Sequence, residues 1–193
     1  PTVDILCSSY NRDGEPFESS PEYILRKAHK VFQETTGLQM ETMGELEYYI
    51  IAEDEEAYSV PDQKGYHESR PFNKFTDYRV EAMQLIAQAG GMIKYGHSEV
   101  GNFTLDGKIY EQNEIEFLPT NIEDAADQLV IAKWIMRQLA YEYGVTLTFA
   151  PKITVGKAGS GMHVHCKFTK DGKSVMIENG ELTDVCKKAI AGY

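Results

Sequence analysis

Apolar residues recur along this chain with two spacings, one near 3.6 and one of two. The longer spacing marks helices. After Ser20-Pro21, the stripe Ile24, Leu25, Ala28, Val31 and Phe32 predicts a first helix, with Ser20 as N-cap, Pro21 at the first helical position and Gly37 as the stop. A second begins near Thr76, carries Val80, Met83, Ile86 and Ala87, and ends at Gly90-Gly91. The third and clearest runs to Gly144 from a capping box between Thr120 and Glu123. Its buried face is expected to hold Ile122, Ala125, Leu129, Ala132, Met136, Leu139 and Tyr143. The closing "LTDVCKKAIAGY" reads as a helix under way.

The shorter spacing marks strands. "TVDILCSSY" reads as a first strand, followed by the turn "NRDGE". "LQMET" and "ELEYYII" read as a hairpin or as two neighbouring strands. Asp106-Gly107 and Asp171-Gly172 are hairpin turns between strand-like runs. Residues from about Glu53 to Phe75 are polar and without period, which predicts a long loop. The expected fold is α+β: a largely antiparallel sheet with helices on one face and a carboxylate- and histidine-lined opposite face.

Within strands, residues two apart share a face. That rule puts Glu45 with Glu47, His97 with Glu99, and Gln112 with Glu114 and Glu116. It also puts Gly161, His163, His165 and Lys167 together, opposite Met162, Val164, Cys166 and Phe168. Each set alone is equally the solvated face of a strand. Joined in one sheet, they would crowd acids that repel one another unless cations bind. Carboxylate oxygens with one or two imidazoles suit Mg²⁺ or Mn²⁺ better than zinc. His29 and His67 lack such a context and are expected at the surface.

Composition narrows the class. The chain has 193 residues and is 42% hydrophobic, enough for one domain or a large part of one. A formal net charge of -11 argues against binding a nucleic-acid backbone. Cys7, Cys166 and Cys186 are odd in number and widely spaced, against a disulfide framework and for a reducing, cytoplasmic setting. No apolar run is long enough to span a membrane and no signal peptide is visible. The start in a strand-like run and the end in a helical one suggest an excerpt of a longer protein.

"GSGMHVH" (159–165) resembles the nucleotide-site signature of glutamine synthetases. The order of further motifs agrees: "YNRDGEPFESSPEYILRKA", "GELEYYI", "HSEVG", "EQNEIEF" and "TNIEDAADQLVIAKWIMRQLAYEYGVTLTFAPK" each resemble that family's catalytic-domain segments, over nearly the whole chain. The resemblance implies that residues 1–193 are part of a catalytic domain, without the small N-terminal domain and without the later arginines, last metal-ligating glutamate and flap. It implies a ligase that uses ATP to phosphorylate the γ-carboxylate of glutamate and then admits ammonia, in a homo-oligomer, with two Mg²⁺ or Mn²⁺ ions. By the same resemblance Glu47, Glu99 and Glu114 hold the ion nearer glutamate and ammonia. Glu45 and His163 contribute to the ion nearer the nucleotide, Glu99 serves catalysis, Gly159 meets the amino-acid substrate, and His165 faces ATP phosphates. The chain departs from the family at Leu46, where proline is usual, at Ala158, where asparagine is usual, and at Lys167, where serine is usual. It also carries an insertion around Asp106-Gly107. The excerpt alone is expected to be inactive. Alternatives are a γ-glutamyl ligase for an amine or polyamine, and a non-catalytic metal-binding member of the same fold.

Overall fold

A computed structural model describes residues 2–55 and 57–193; Pro1 and Glu56, the first residue of the chain and one position of the long polar loop, lie outside the described residues. The elements in chain order are α1 (Pro21–Thr36), β1 (Gln39–Glu53), α2 (Thr76–Gln88), β2 (Ile93–Leu105), β3 (Lys108–Phe117), β4 (Thr120–Asn121), α3 (Ile122–Glu142), β5 (Thr146–Thr148), β6 (Met162–Lys170), β7 (Lys173–Ser174), β8 (Ile177–Glu178), β9 (Glu181–Leu182) and α4 (Asp184–Gly192). Strand order in the main sheet is β2-β3-β1-β6-β7, with β4 and β5 also pairing β1. The pairings of β1 with β3, β4 and β5, of β2 with β3, and of β6 with β7 are antiparallel. The chain divides into two compact units, one of Met43–Leu118 and Gln128–Val164, the other of Pro1–Thr42, Pro119–Asp127 and His165–Tyr193.

The unit of Met43–Leu118 and Gln128–Val164 is built on the alternation of β1. Leu46, Tyr48 and Ile50 point to one side and join Ile115 and Phe117 of β3 in the core. Tyr78, Ala82 and Ile86 of α2 and Ala132, Met136, Leu139 and Ala140 of α3 complete that core. Each large side chain removed from water there contributes roughly 1.5–3 kcal/mol. The helices therefore cover one face of these strands, and the opposite face is left to polar residues. Asp106 and Gly107 turn the β2–β3 hairpin with φ of 51° and 75°, the left-handed pair that such two-residue turns require.

In the unit of Pro1–Thr42, Pro119–Asp127 and His165–Tyr193, α1 stops at Gly37 in the left-handed conformation, φ 68°. The Phe32 and Phe168 rings pack with centroids 5.1 Å apart. Thr183 caps α4 by accepting from the Cys186 N–H at 3.2 Å.

Several expectations are corrected. "LQMET" and "ELEYYII" form the single strand β1. Gly44, inside that strand, is there for space: a Cβ would lie 2.9 Å from Leu129 Cδ1. "TVDILCSSY" forms no strand; it contributes only the isolated bridge Tyr10↔Pro16, having no partner strand among the described residues. The cap of α3 is Asn121, the residue directly before the helix, whose Oδ1 accepts from the N–H groups of Glu123 and Asp124 at 3.0 and 3.1 Å. The buried face of α2 is rotated: Val80 is exposed, whereas Tyr78 goes inside because its hydroxyl can donate to the Met136 carbonyl at 2.6 Å. Tyr143, expected on the buried face of α3, is exposed past the helix end. Ile24 and Val31 of α1 are exposed, and the buried residue there is His29, whose Nδ1 lies 2.9 Å from Glu123. His29 is thus not a surface residue; a carboxylate partner makes its burial tolerable. Met162 and Val164 are exposed on β6, so the apolar side of that strand reduces to Phe168 with half-buried Cys166.

Candidate metal centre

Register places the site. β1 pairs β3 with Glu45↔Glu116 and Glu47↔Glu114, and β3 pairs β2 with His97↔Glu114. Directly paired residues point to the same face. Three neighbouring strands thus put Glu47, Glu114 and His97 in one row on the face away from the helices. The His97 ring lies with Nε2 2.9 Å from Glu114 and 3.8 Å from Glu116, and Nδ1 3.6 Å from Glu99. At the start of β6, His163 Nδ1 is 3.2 Å from Glu45 and 3.5 Å from Glu47.

A wide irregularity in β2 shapes this row. Ser98 pairs Asn113 and Asn102 pairs Glu111, so Glu99, Val100 and Gly101 all oppose the single residue Gln112. Such a bulge bends the strand and re-aims its side chains. It needs glycine at Gly101: a Cβ would overlap the Tyr49 hydroxyl and sit 2.6 Å from Gln112 Oε1. The Gly101 N–H instead donates to Gln112 Oε1 at 3.0 Å. With its oxygen so held, the Gln112 amide nitrogen donates to Glu47 Oε2 at 2.9 Å, the Gly159 carbonyl at 2.8 Å and Ser160 Oγ at 3.2 Å. Glu47 Oε2 accepts further from the Gly161 N–H at 3.1 Å, leaving Oε1 toward His163.

Burial and mutual repulsion act on these carboxyls. Burial, then Glu99, Glu45, Glu47 and Glu116, push Glu114 up to about 8. Burial also raises Glu47, with Glu99 and Glu45 adding to the rise while the Gly161 N–H and His163 oppose it. Glu116 goes the other way. Burial alone would raise it, but hydrogen bonds from Lys94, 2.7 Å away, and from Tyr95 outweigh that, so it is held below the usual carboxylate range. Glu116 is therefore paired with a lysine rather than free for a ligand.

The donor set fits a hard divalent cation. Ligand atoms of Glu45, Glu114 and His163 lie within 4.8 Å of one another, and so do those of His97, Glu99 and Glu114. Glu114 belongs to both groups. Its Oε1 is buried with no hydrogen-bond partner among the described residues, a vacancy costly in a buried carboxylate unless something coordinates it. Oxygen and imidazole donors without thiolate match Mg²⁺ or Mn²⁺.

Of the five candidate ligands, Glu45, Glu114 and His163 fall in one of these groups and Glu99 and Glu114 in the other; Glu47 is in neither, although its Oε1 lies 3.5 Å from His163 Nδ1. Gly159 is on the segment entering β6, its carbonyl on Gln112. His165 is exposed on β6, in the unit of Pro1–Thr42, Pro119–Asp127 and His165–Tyr193. Strand alternation pointed to the faces of His97 and Gln112 but not to their roles, the one in a potential ligand group and the other as the amide that orients Glu47. His67 is exposed as expected, yet its ring stacks on His97 with centroids 4.5 Å apart and planes 12° apart. Its place in a loop without period gave no signal.

The family described as "Glutamine synthetase, catalytic domain" matches residues 18–193, a stretch that contains every candidate residue. The chain belongs to the glutamine synthetase catalytic-domain family. It is 31% identical over 189 residues to the glutamine synthetase of Methanosarcina mazei, covering 96% of this chain and 40% of that protein. It is 29% identical over 194 residues to the glutamine synthetase of Clostridium saccharobutylicum, covering 97% of this chain and 42% of that protein. The fold matches the cryo-EM structure of Plasmodium falciparum glutamine synthetase with a TM-score of 0.82 at 19% identity, covering 95% of this chain and 41% of the other. It also matches apo GmaS with a TM-score of 0.73 at 18% identity, covering 89% and 40%. The chain thus spans about two fifths of the length of the curated glutamine synthetases it matches. Among the described residues no helix is long and apolar enough to cross a membrane.

Proposed function

We propose that this chain is part of the catalytic domain of an ATP-dependent carboxylate–amine ligase. The full-length protein, a cytoplasmic homo-oligomer, joins ammonia to the γ-carboxylate of glutamate through γ-glutamyl phosphate and yields glutamine. The observation that carries this reading is the position of Glu114. It faces Glu47 on one side and His97 on the other, with one buried oxygen unpartnered. Carboxyl groups directly opposite one another, as Glu47 and Glu114 are, disfavour a sheet, so their presence at the polar face of a buried core supports a cation-dependent role.

Glu45, Glu47, Glu99, Glu114 and His163 would hold Mg²⁺ or Mn²⁺. Bound there, the ions supply charge neutralisation for phosphate and carboxylate oxygens. The protein's own part is positioning. Gln112 and the Gly161 N–H fix one oxygen of Glu47 and turn the other toward His163. Glu99, at the bulge, draws in ammonium and takes one proton to leave ammonia, which attacks the acyl carbon of γ-glutamyl phosphate; the carbon–oxygen bond to phosphate breaks and inorganic phosphate leaves. The backbone around Gly159 meets the amino-acid substrate, and His165 faces ATP phosphates.

The test is glutamine formation by full-length protein supplied with glutamate, ATP and Mg²⁺, with ammonium or a panel of alkylamines and polyamines. Ammonium-dependent glutamine supports the reading, and preference for an organic amine replaces it with a γ-glutamylamide synthetase. Turnover of neither class, with no Mn²⁺ binding, contradicts both and makes the domain a non-catalytic member of the family.

A further inference from the structure

The loop between β1 and α2 runs along the irregular part of β2. The N–H groups of Gln63, Gly65 and His67 donate to the carbonyls of Asn102, Val100 and Ser98 at 2.9, 3.3 and 3.0 Å. Alternate residues thus meet alternate carbonyls, as in a strand pair, along the stretch where β2 bulges away from β3. Gln63 and His67 both adopt φ of 57°, a left-handed conformation uncommon outside glycine. A short polar segment held this way on a strand edge is not loose surface.

The same segment grips the turn that leads into β6. Gln63 Oε1 accepts from the Ala158 N–H at 2.6 Å. The Asp62 carboxylate pairs with the Lys157 ammonium, which also lies over the Phe103 ring. From the other side the Tyr49 hydroxyl donates to the Ala158 carbonyl at 2.7 Å. Both polar groups of Ala158 are therefore fixed. The next groups along, the Gly159 carbonyl and the Gly161 N–H, are held by Gln112 and Glu47. The backbone of residues 158–161 is thus pinned at each step, and Gln63 supplies the first pin from a position 95 residues earlier in sequence.

We propose that Gln63 is a positioning residue for the 158–161 turn: its amide oxygen sets the turn on which Glu47 and the amino-acid substrate depend. The side chain is only half-buried and is not a member of the apolar core, so its loss is expected to act on the turn and not on folding. The substrate part of this proposal rests on the proposed ligase function; the structural part does not.

Two measurements on the full-length protein separate those parts. Gln63→Met keeps length and volume but has no acceptor, whereas Gln63→Glu retains an oxygen at the same reach. Amide hydrogen exchange across residues 157–161 is expected to accelerate about tenfold in Gln63→Met and to stay near wild type in Gln63→Glu, the scale of one net hydrogen bond. In the same variants the KM for glutamate is expected to rise about tenfold in Gln63→Met only, with the KM for ATP and the melting temperature unchanged. Unchanged exchange in Gln63→Met overturns the clamp whatever the activity. Faster exchange with an unchanged KM overturns its role in substrate binding. Equal losses in every parameter together with a lowered melting temperature overturn positioning in favour of plain stability. If wild-type protein turns over no glutamate, the ligase reading fails while the exchange measurement still decides the clamp.

Discussion

Glu47 and Glu114 sit directly opposite each other on paired strands, two carboxylates where a sheet ordinarily places complementary side chains. Their neighbours deepen the conflict, since Glu45 and Glu99 lie close enough to raise both groups. The fold stores this repulsion on the polar face of strands whose other face is the apolar core.

That arrangement gives the metal-free protein a pH dependence of definite sign. Glu114 in the fold holds its proton up to about 8, whereas in the unfolded chain it loses it in the ordinary carboxylate range. Between those limits unfolding releases a proton, so stability is full at low pH and falls as pH rises through about 8. Glu114→Gln, which cannot ionise, is expected to stabilise the metal-free protein by about 2 kcal/mol at pH 8 and to change little at pH 4. Urea melts at the two pH values check this. Equal effects at both would show that Glu114 is not held protonated by its surroundings.

Gln112 should behave as part of the proposed metal centre although its oxygen is taken by the Gly101 N–H. Its amide orients Glu47 and ties the Gly159 carbonyl to the same point. Gln112→Ala is expected to weaken Mn²⁺ binding by about 10- to 100-fold, as loss of an orienting hydrogen bond to a ligand does. Calorimetric titration of full-length protein measures it, and wild-type affinity in the variant would remove Gln112 from the account.

Gly101 is where the bulge has no room to spare. Gly101→Ala pushes the Tyr49 hydroxyl off the Ala158 carbonyl and is expected to cost about 1–3 kcal/mol. Tyr49→Phe removes the obstructing oxygen, so the double variant should lose less than the sum of the singles. Strict additivity in denaturant melts would mean the two residues do not compete for that space.

The polar anchor of the long loop lies on the other side of β3. Buried Glu111 accepts from Asn73 Nδ2 at 2.6 Å and from the N–H groups of Lys74 and Phe75 at 2.8 and 3.2 Å, beside Arg79 and Asn113. Glu111→Ala strands these donors and is expected to destabilise by about 2–4 kcal/mol. A loss under about 0.5 kcal/mol would mean that water replaces the carboxylate without cost.

The sequence made the carboxylate face legible because strand alternation is a local rule. Counting by two from Glu45, His97 and Gln112 reaches the right faces, and the Asp-Gly turn marks the hairpin that brings β2 to β3. What it hid were long-range events. The bulge at Glu99–Gly101 cannot be counted from one strand, since it exists only relative to β3. His67 and Gln63 lie in a loop without period, and their partners Ser98, Asn102 and Ala158 are distant in sequence. His29 looked like a surface residue because its partner Glu123 begins another helix. Val80 and Tyr78 could each have led the buried face of α2; the carbonyl of Met136, available to the tyrosine hydroxyl, decided between them.

The central proposal is that Glu45, Glu47, Glu99, Glu114 and His163 hold a divalent cation. Mn²⁺ titration of the full-length protein, read by the loss of free-ion paramagnetic signal, tests it most directly. The account predicts binding in the wild type, weakened at least about tenfold by Glu114→Gln and by His163→Ala, and little changed by Glu116→Gln, whose carboxylate is held by Lys94. Absence of binding, or binding that Glu114→Gln and His163→Ala leave intact, would contradict it.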